Sequence, residues 1–158
     1  MKSSIRTGLS FGLTSGVITT LGLMVGLYSG THSRTAVIGG ILTIAIADAM
    51  SDALGIHIAE ESRNRGMTGE IWESTVAAFV AKLVIALTFV GPVIFMPLEA
   101  AILVNVAWGL LLLAILSFAL ARMQHIAAWK VIGEHVLIGL CVVAISHYVG
   151  EWVRQLGE

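Results

Sequence analysis

Residues 98–123 read LEAAILVNVAWGLLLLAILSFALARM. Positions 100–121 carry no ionisable side chain. The run matches the roughly 20 apolar residues that a bilayer's hydrocarbon core requires of a helix. Working outward, four more apolar segments of similar length appear, near residues 7–29, 35–59, 72–96 and 131–153. The pattern predicts an all-α integral membrane protein with five transmembrane helices in a single domain covering residues 1–158.

The breaks between segments have turn chemistry. Ser29-Gly30-Thr31-His32-Ser33-Arg34 is a polar turn, and Glu60 to Glu70 is a charged loop containing Gly66 and Gly69. Gly91-Pro92 and Met96-Pro97 bracket a tight apolar reversal and hold both prolines of the chain. Arg122 to Lys130 forms the last connection. The basic start, Met1 to Arg6, leads into a segment long enough to span, so it reads as a retained helix and not a cleaved signal.

Composition agrees. Hydrophobic residues make up 57% of the chain and charged residues only 12%, against about 25% charged in soluble domains. Such a chain lacks the polar surface to face water, and lipid is its solvent. The net charge of −1 offers no basic face for nucleic acid. Cys141 is the sole cysteine, which excludes an intrachain disulfide and a thiolate cluster. Its apolar surroundings predict buried packing.

Basic residues in the loops predict orientation. With the N-terminus inside, the inner side holds Lys2, Arg6, Arg63, Arg65, Arg122 and Lys130, and the outer side only Arg34 and Arg154. This favours a cytoplasmic N-terminus in a multi-pass protein of the cell membrane.

An ionisable group at the centre of a bilayer costs roughly 2.5–3.5 kcal/mol on insertion scales, so each one needs a reason. The second segment holds Asp48, Asp52, His57, Glu60 and Glu61. Asp48 and Asp52, four apart, share a helical face. His57 lies about 180° around the helix from Asp48 and about 140° from Asp52 at 100° per residue. The two aspartates read as hard oxygen ligands for a metal ion, shared with the first span or across a dimer. Carboxylates this close repel, and a cation or proton must screen them, which suits exchange of one for the other. The alternative is structural, a helix cap or a pair with Lys82 of the third segment. Lys82 itself reads as a structural counter-ion or a proton-linked group. Glu60 and Glu61 read as an ion mouth, with His57 as a further metal ligand. Thr14, Ser15, Thr19 and Thr20 cluster in the first segment. Ser15 and Thr19 are the candidates to line a hydrated pathway, and bonding to the helix's own carbonyls is the alternative.

The remaining polar residues give weaker signals. His32 and His125 fall in turns, and Glu134 and His135 open the last segment. His147 reads as a satisfied core histidine or a proton carrier, and Glu99 as interfacial. Trp72, Trp108, Trp129 and Trp152 read mostly as interfacial anchors. No HExxH motif, paired CxxC or nucleophile–base set is present, so no enzymatic activity and no cofactor are expected.

Residues 11–27, FGLTSGVITTLGLMVGL, resemble the opening helix of the vacuolar iron transporter family, with its Gly-Leu-x-Asp-Gly-Leu-x-Thr pattern. Residues 47–62, ADAMSDALGIHIAEES, resemble that family's Gly-Ala-x-Ser-Met-x-Leu-Gly-x-Tyr segment. The turn Gly91 to Pro97 and the end Ile138 to Gly150 are similar more loosely. The resemblance implies a five-span homodimer with the pathway between protomers. It also implies export of Fe²⁺, with Mn²⁺ as a second candidate, in exchange for protons. Three positions depart from the family. Ser15 stands where the family has aspartate, Asp52 where it has a metal-contacting methionine, and Asp48 where it has glycine. A carboxylate for a thioether favours harder ions. The family's glutamate-rich insert is cut to residues 62–71, leaving Glu60, Glu61, Glu70 and Glu73 as its remnant. Two other readings stand beside this one, a passive cation or proton channel and a non-transporting membrane scaffold on the same fold.

Overall fold

A computed structural model describes residues 3–63 and 68–157. Lys2 and Arg65, two of the residues that predict orientation, lie outside them. The described chain is helical nearly throughout: α1 (Ser3–Thr31), α2 (Arg34–Arg63), α3 (Thr68–Thr88), α4 (Val90–Phe95), α5 (Leu98–Gln124) and α6 (Ala128–Leu156). Five helical stretches are long and apolar enough to cross a membrane, with α3 and α4 together forming the third, Thr68–Phe95. In hydrocarbon every backbone N–H and C=O must be satisfied within the protein, and a helix does this within one segment. At 1.5 Å per residue these helices exceed the roughly 30 Å hydrocarbon core. They overrun the spans expected from hydropathy by about a turn at the start of α1 and α3, the end of α2 and both ends of α6, while α5 matches its expected span closely.

The helix α1 is the hub and packs against α2, α3, α5 and α6. Its glycines allow this. A methyl group at Gly8 would overlap the carbonyl oxygen of Ser74, and one at Gly12 the carbonyl oxygen of Ala78. The backbones of α1 and α3 therefore touch, as small residues permit in membrane bundles. Around this contact lies an apolar core built from Val17, Leu21, Met24, Ile41, Phe89 and Leu113.

The third span breaks at Phe89, just ahead of the predicted reversal. Gly91 and Pro92 lie inside the short helix α4, and the chain turns at Met96-Pro97, with Pro97 as the N-cap of α5. Two polar side chains satisfy the carbonyls that the break releases. Asn105, fully buried, donates from Nδ2 to the Phe89 carbonyl at 2.8 Å. Arg34 donates from Nη1 to Val93 O at 2.7 Å and from Nη2 to Met96 O at 2.8 Å. Arg34 is thus a clamp on the end of α4 and not simply a turn residue. The turns that join α1 to α2 and α5 to α6 each use a left-handed histidine, His32 (φ 48°) and His125 (φ 56°).

Cys141 corrects an expectation, since it is exposed on α6. Lipid is as apolar as a protein core, so an apolar run leaves open which of its faces is buried.

Candidate functional site

Asp48 and Asp52 stand one turn apart on α2, beside the buried stripe Ala45, Ala49 and Ala53. Those small side chains let α2 settle closely on its neighbours. Lys82 projects from α3 and is buried. The Lys82 ammonium forms ion pairs with Oδ2 of both Asp48 and Asp52. It also donates to Ser15 Oγ on α1 at 2.9 Å, and Ser15 Oγ in turn donates to Asp52 Oδ2 at 2.6 Å. Three helices thus meet at one polar cluster. Gly16, where an added methyl would lie 3.3 Å from Lys82 Cα, keeps α1 near enough for Ser15 to take part.

The cluster is asymmetric. The Lys82 side chain is 1% exposed, against 29% for Asp48 and 20% for Asp52. The carboxylates form the accessible side and the ammonium the sealed side. Asp52 has both a charge partner and a hydroxyl donor. Asp48 Oδ2 meets the ammonium by charge but accepts no hydrogen bond. Two carboxylates and one ammonium carry a formal charge of −1. A charge pair in low dielectric persists only with good geometry and further hydrogen bonds, and Ser15 supplies these at Asp52.

The other residues singled out from the sequence do not join this cluster. His57 Nδ1 lies 3.0 Å from Thr75 Oγ1, and the ring packs edge-on against Trp72 at 4.7 Å. Thr75 donates its own proton to the Ile71 carbonyl at 2.7 Å, so its oxygen is left to accept from His57 Nδ1. Glu60 pairs with Arg63 at 3.8 Å, and Glu61 is exposed at the end of α2. Among the described residues, no group of three or more His, Cys, Asp or Glu is arranged to hold a metal ion. Asp48, Asp52, His57, Glu60 and Glu61 therefore do not form one ligand set within a single chain. Thr19 donates to the Ser15 carbonyl at 2.9 Å, the local bond weighed as its alternative role.

Elsewhere the histidines make specific bonds. His135 Nδ1 lies 2.7 Å from Ser117 Oγ, and His147 Nδ1 lies 2.7 Å from Ser29 Oγ. His147 belongs to the exposed surface of α6 and is not a core residue. The sequence reading passed over Asn105 and took Arg34 only as a turn residue and an outer-side charge. A lone Asn within an apolar run was the available signal for the first, and nothing local marks the second. No family model, curated protein or solved structure matches this chain.

Proposed function

We propose that this protein exports divalent metal ions, Fe²⁺ with Mn²⁺ as the second candidate, in exchange for protons and as a homodimer. The observation that carries the reading is the buried ammonium of Lys82 held between two carboxylates within the span of the bundle. Lys82 is a tethered cation occupying a cation site. A divalent ion arriving from the accessible side competes for the oxygens of Asp48 and Asp52, and the ammonium yields them. Hard oxygens suit Mn²⁺ and Fe²⁺ better than soft monovalent copper. The exchange trades the metal's charge for the proton that the Lys82 ammonium gives up as it yields these oxygens. Glu60, Glu61, Glu70 and Glu73 gather at the end of α2 and the start of α3, where acidic side chains raise the local concentration of cations.

Two carboxylates and a serine are too few ligands for a transported ion, and a second copy would supply more. One face of α2 supports such a dimer. Gly39, Thr43, Ala47, Ser51, Gly55 and Ala59 recur every fourth residue, and all are exposed in the single chain. This stripe of small residues adjoins the Asp48–Asp52 stripe, and small stripes let membrane helices approach closely. Helices crossing there would bring the acidic pairs of two protomers toward one another.

One observation favours a second reading, a non-transporting scaffold. The absence of a preformed metal cluster among the described residues is what a purely structural ion pair would give. Binding separates the two. In electron paramagnetic resonance, free aqueous Mn²⁺ loses its signal on binding. Titration of the purified protein is expected to remove the signal saturably. Asp48→Asn/Asp52→Asn is expected to abolish that loss while the protein elutes unchanged on gel filtration. Equal uptake by the wild type and the double variant, or none by either, supports the scaffold.

A further inference from the structure

The N-terminal half of α1 leans onto α3 through Gly8 and Gly12, and this leaves a cleft on its opposite side, against the end of α5. Farther along, the two helices close up, with Leu21 against Gly109 and Met24 against Asn105. The cleft contains two adjoining cavities of about 360 and 170 Å³, which share Arg6, Ser10, Leu120 and Met123. The mouth is polar, with Arg6, Thr7, Ser10 and Gln124. The deeper part is apolar, with Leu9, Leu13, Leu116 and Leu120.

Charge is divided across this end of the bundle. Glu60, Glu61, Glu70 and Glu73 belong to α2 and α3, while Arg122 and Lys130 stand exposed on α5 and α6, with Glu134 as the sole acid on that side. Arg6 is exposed at the mouth and has no ion pair or hydrogen bond from its side chain among the described residues. A cationic rim with neutral donors above an apolar slot complements a molecule with an anionic head and a hydrocarbon tail.

We propose that the α1–α5 cleft binds one anionic phospholipid. The guanidinium of Arg6 takes the phosphate, a geometry for which its planar fork is suited. The Ser10 hydroxyl and the Gln124 amide supply further donors. One acyl chain lies along Leu9, Leu13, Leu116 and Leu120. A zwitterionic headgroup binds less well, because its ammonium finds no carboxylate among the residues that line the mouth. This site is independent of the ion-pair cluster and of the transport reading.

Native mass spectrometry of the delipidated full-length protein tests it, with phosphatidylglycerol and phosphatidylcholine of identical chains. The wild type is expected to retain one phosphatidylglycerol with about tenfold preference, as basic residues near an anionic lipid surface provide. Arg6→Gln should reduce that preference to near unity, and Leu120→Trp, which fills the slot, should weaken both lipids. Arg63→Gln, on the acidic side, should keep the wild-type preference and serves as the folding control. Free glycerol phosphate should not displace the bound lipid. Three results would each overturn the assignment: equal retention of the two lipids by the wild type, an unchanged preference in Arg6→Gln, or displacement by glycerol phosphate, which marks a simple anion site. A change of oligomeric state in Leu120→Trp with lipid binding intact would also overturn it, by making the cleft a contact between chains.

Discussion

Lys82 serves two carboxylates, and each carboxylate has only one cationic partner in the cluster. Removing the shared partner should therefore harm the fold more than removing either acid. Breaking a buried pair on one side typically costs about 3–5 kcal/mol. Lys82→Met is expected to lose stability on that scale, and Asp48→Asn distinctly less, because Asp52 still holds the ammonium. Thermal unfolding in detergent, followed by loss of the folded gel-filtration peak, ranks them. A larger loss for Asp48→Asn would show that the ammonium does not hold the cluster together. Ser15→Ala removes one hydroxyl that bridges both charges. Hydrogen bonds to charged groups contribute roughly 1.5–3 kcal/mol, and the loss should fall there. The sequence made the charged members of this cluster visible singly, as ionisable residues in apolar runs, and offered the Asp–Lys pairing as one of the structural alternatives to a metal site. It set Ser15 on the pathway beside the aspartates but did not give its bonds to Asp52 and Lys82, because these join residues 37 and 67 positions apart and depend on how closely α1 and α3 approach.

At the scale of the helices, close approach and turn geometry decide. Gly12→Ala would drive a methyl into the backbone of α3 at Ala78 and separate the helices that carry Ser15 and Lys82. Overpacking costs typically about 1–3 kcal/mol, and a clash with backbone belongs at the upper end. Gly133→Ala on α6, with open space at its Cβ and outside the small-residue stripe of α2, is the comparison and should lose no stability. His125 takes the left-handed conformation that ends α5. A glycine there avoids the roughly 1–2 kcal/mol that this region costs other residues. His125→Gly is therefore expected to raise the unfolding temperature slightly, and a fall would mean that the imidazole makes a contact worth more. The spans were legible because length and apolarity suffice for them. The break at Phe89 and its two polar clamps were not, because the partners, Asn105 and Arg34, come from other helices. The exposure of Cys141 was hidden for another reason. Where lipid is the solvent, hydropathy does not distinguish a helix's buried face from its outer one.

At the scale of the whole molecule, α2 has a surface to spare. It buries Val37, Ile41, Ala45, Ala49 and Ala53 on one side and leaves the small-residue stripe open on another. If two copies meet there, a cysteine in that stripe lies near its counterpart. In a Cys141→Ser background, Ala47→Cys is expected to give a disulfide-linked dimer on mild oxidation, whereas Thr88→Cys, exposed on α3, should not. Equal crosslinking at both positions would move the interface elsewhere or reduce it to chance collision.

Proton-coupled metal transport is the central proposal, and flux tests it. Proteoliposomes carrying the wild type or Asp48→Asn/Asp52→Asn would be tested for Mn²⁺ and Fe²⁺ movement with and without an imposed pH gradient. The expected result is flux that the gradient drives and that the double variant abolishes while remaining folded. Flux indifferent to the gradient would indicate a passive channel, and gradient-driven flux surviving in the double variant would remove the two aspartates from the site. No flux of either metal under any gradient would contradict the transport reading itself.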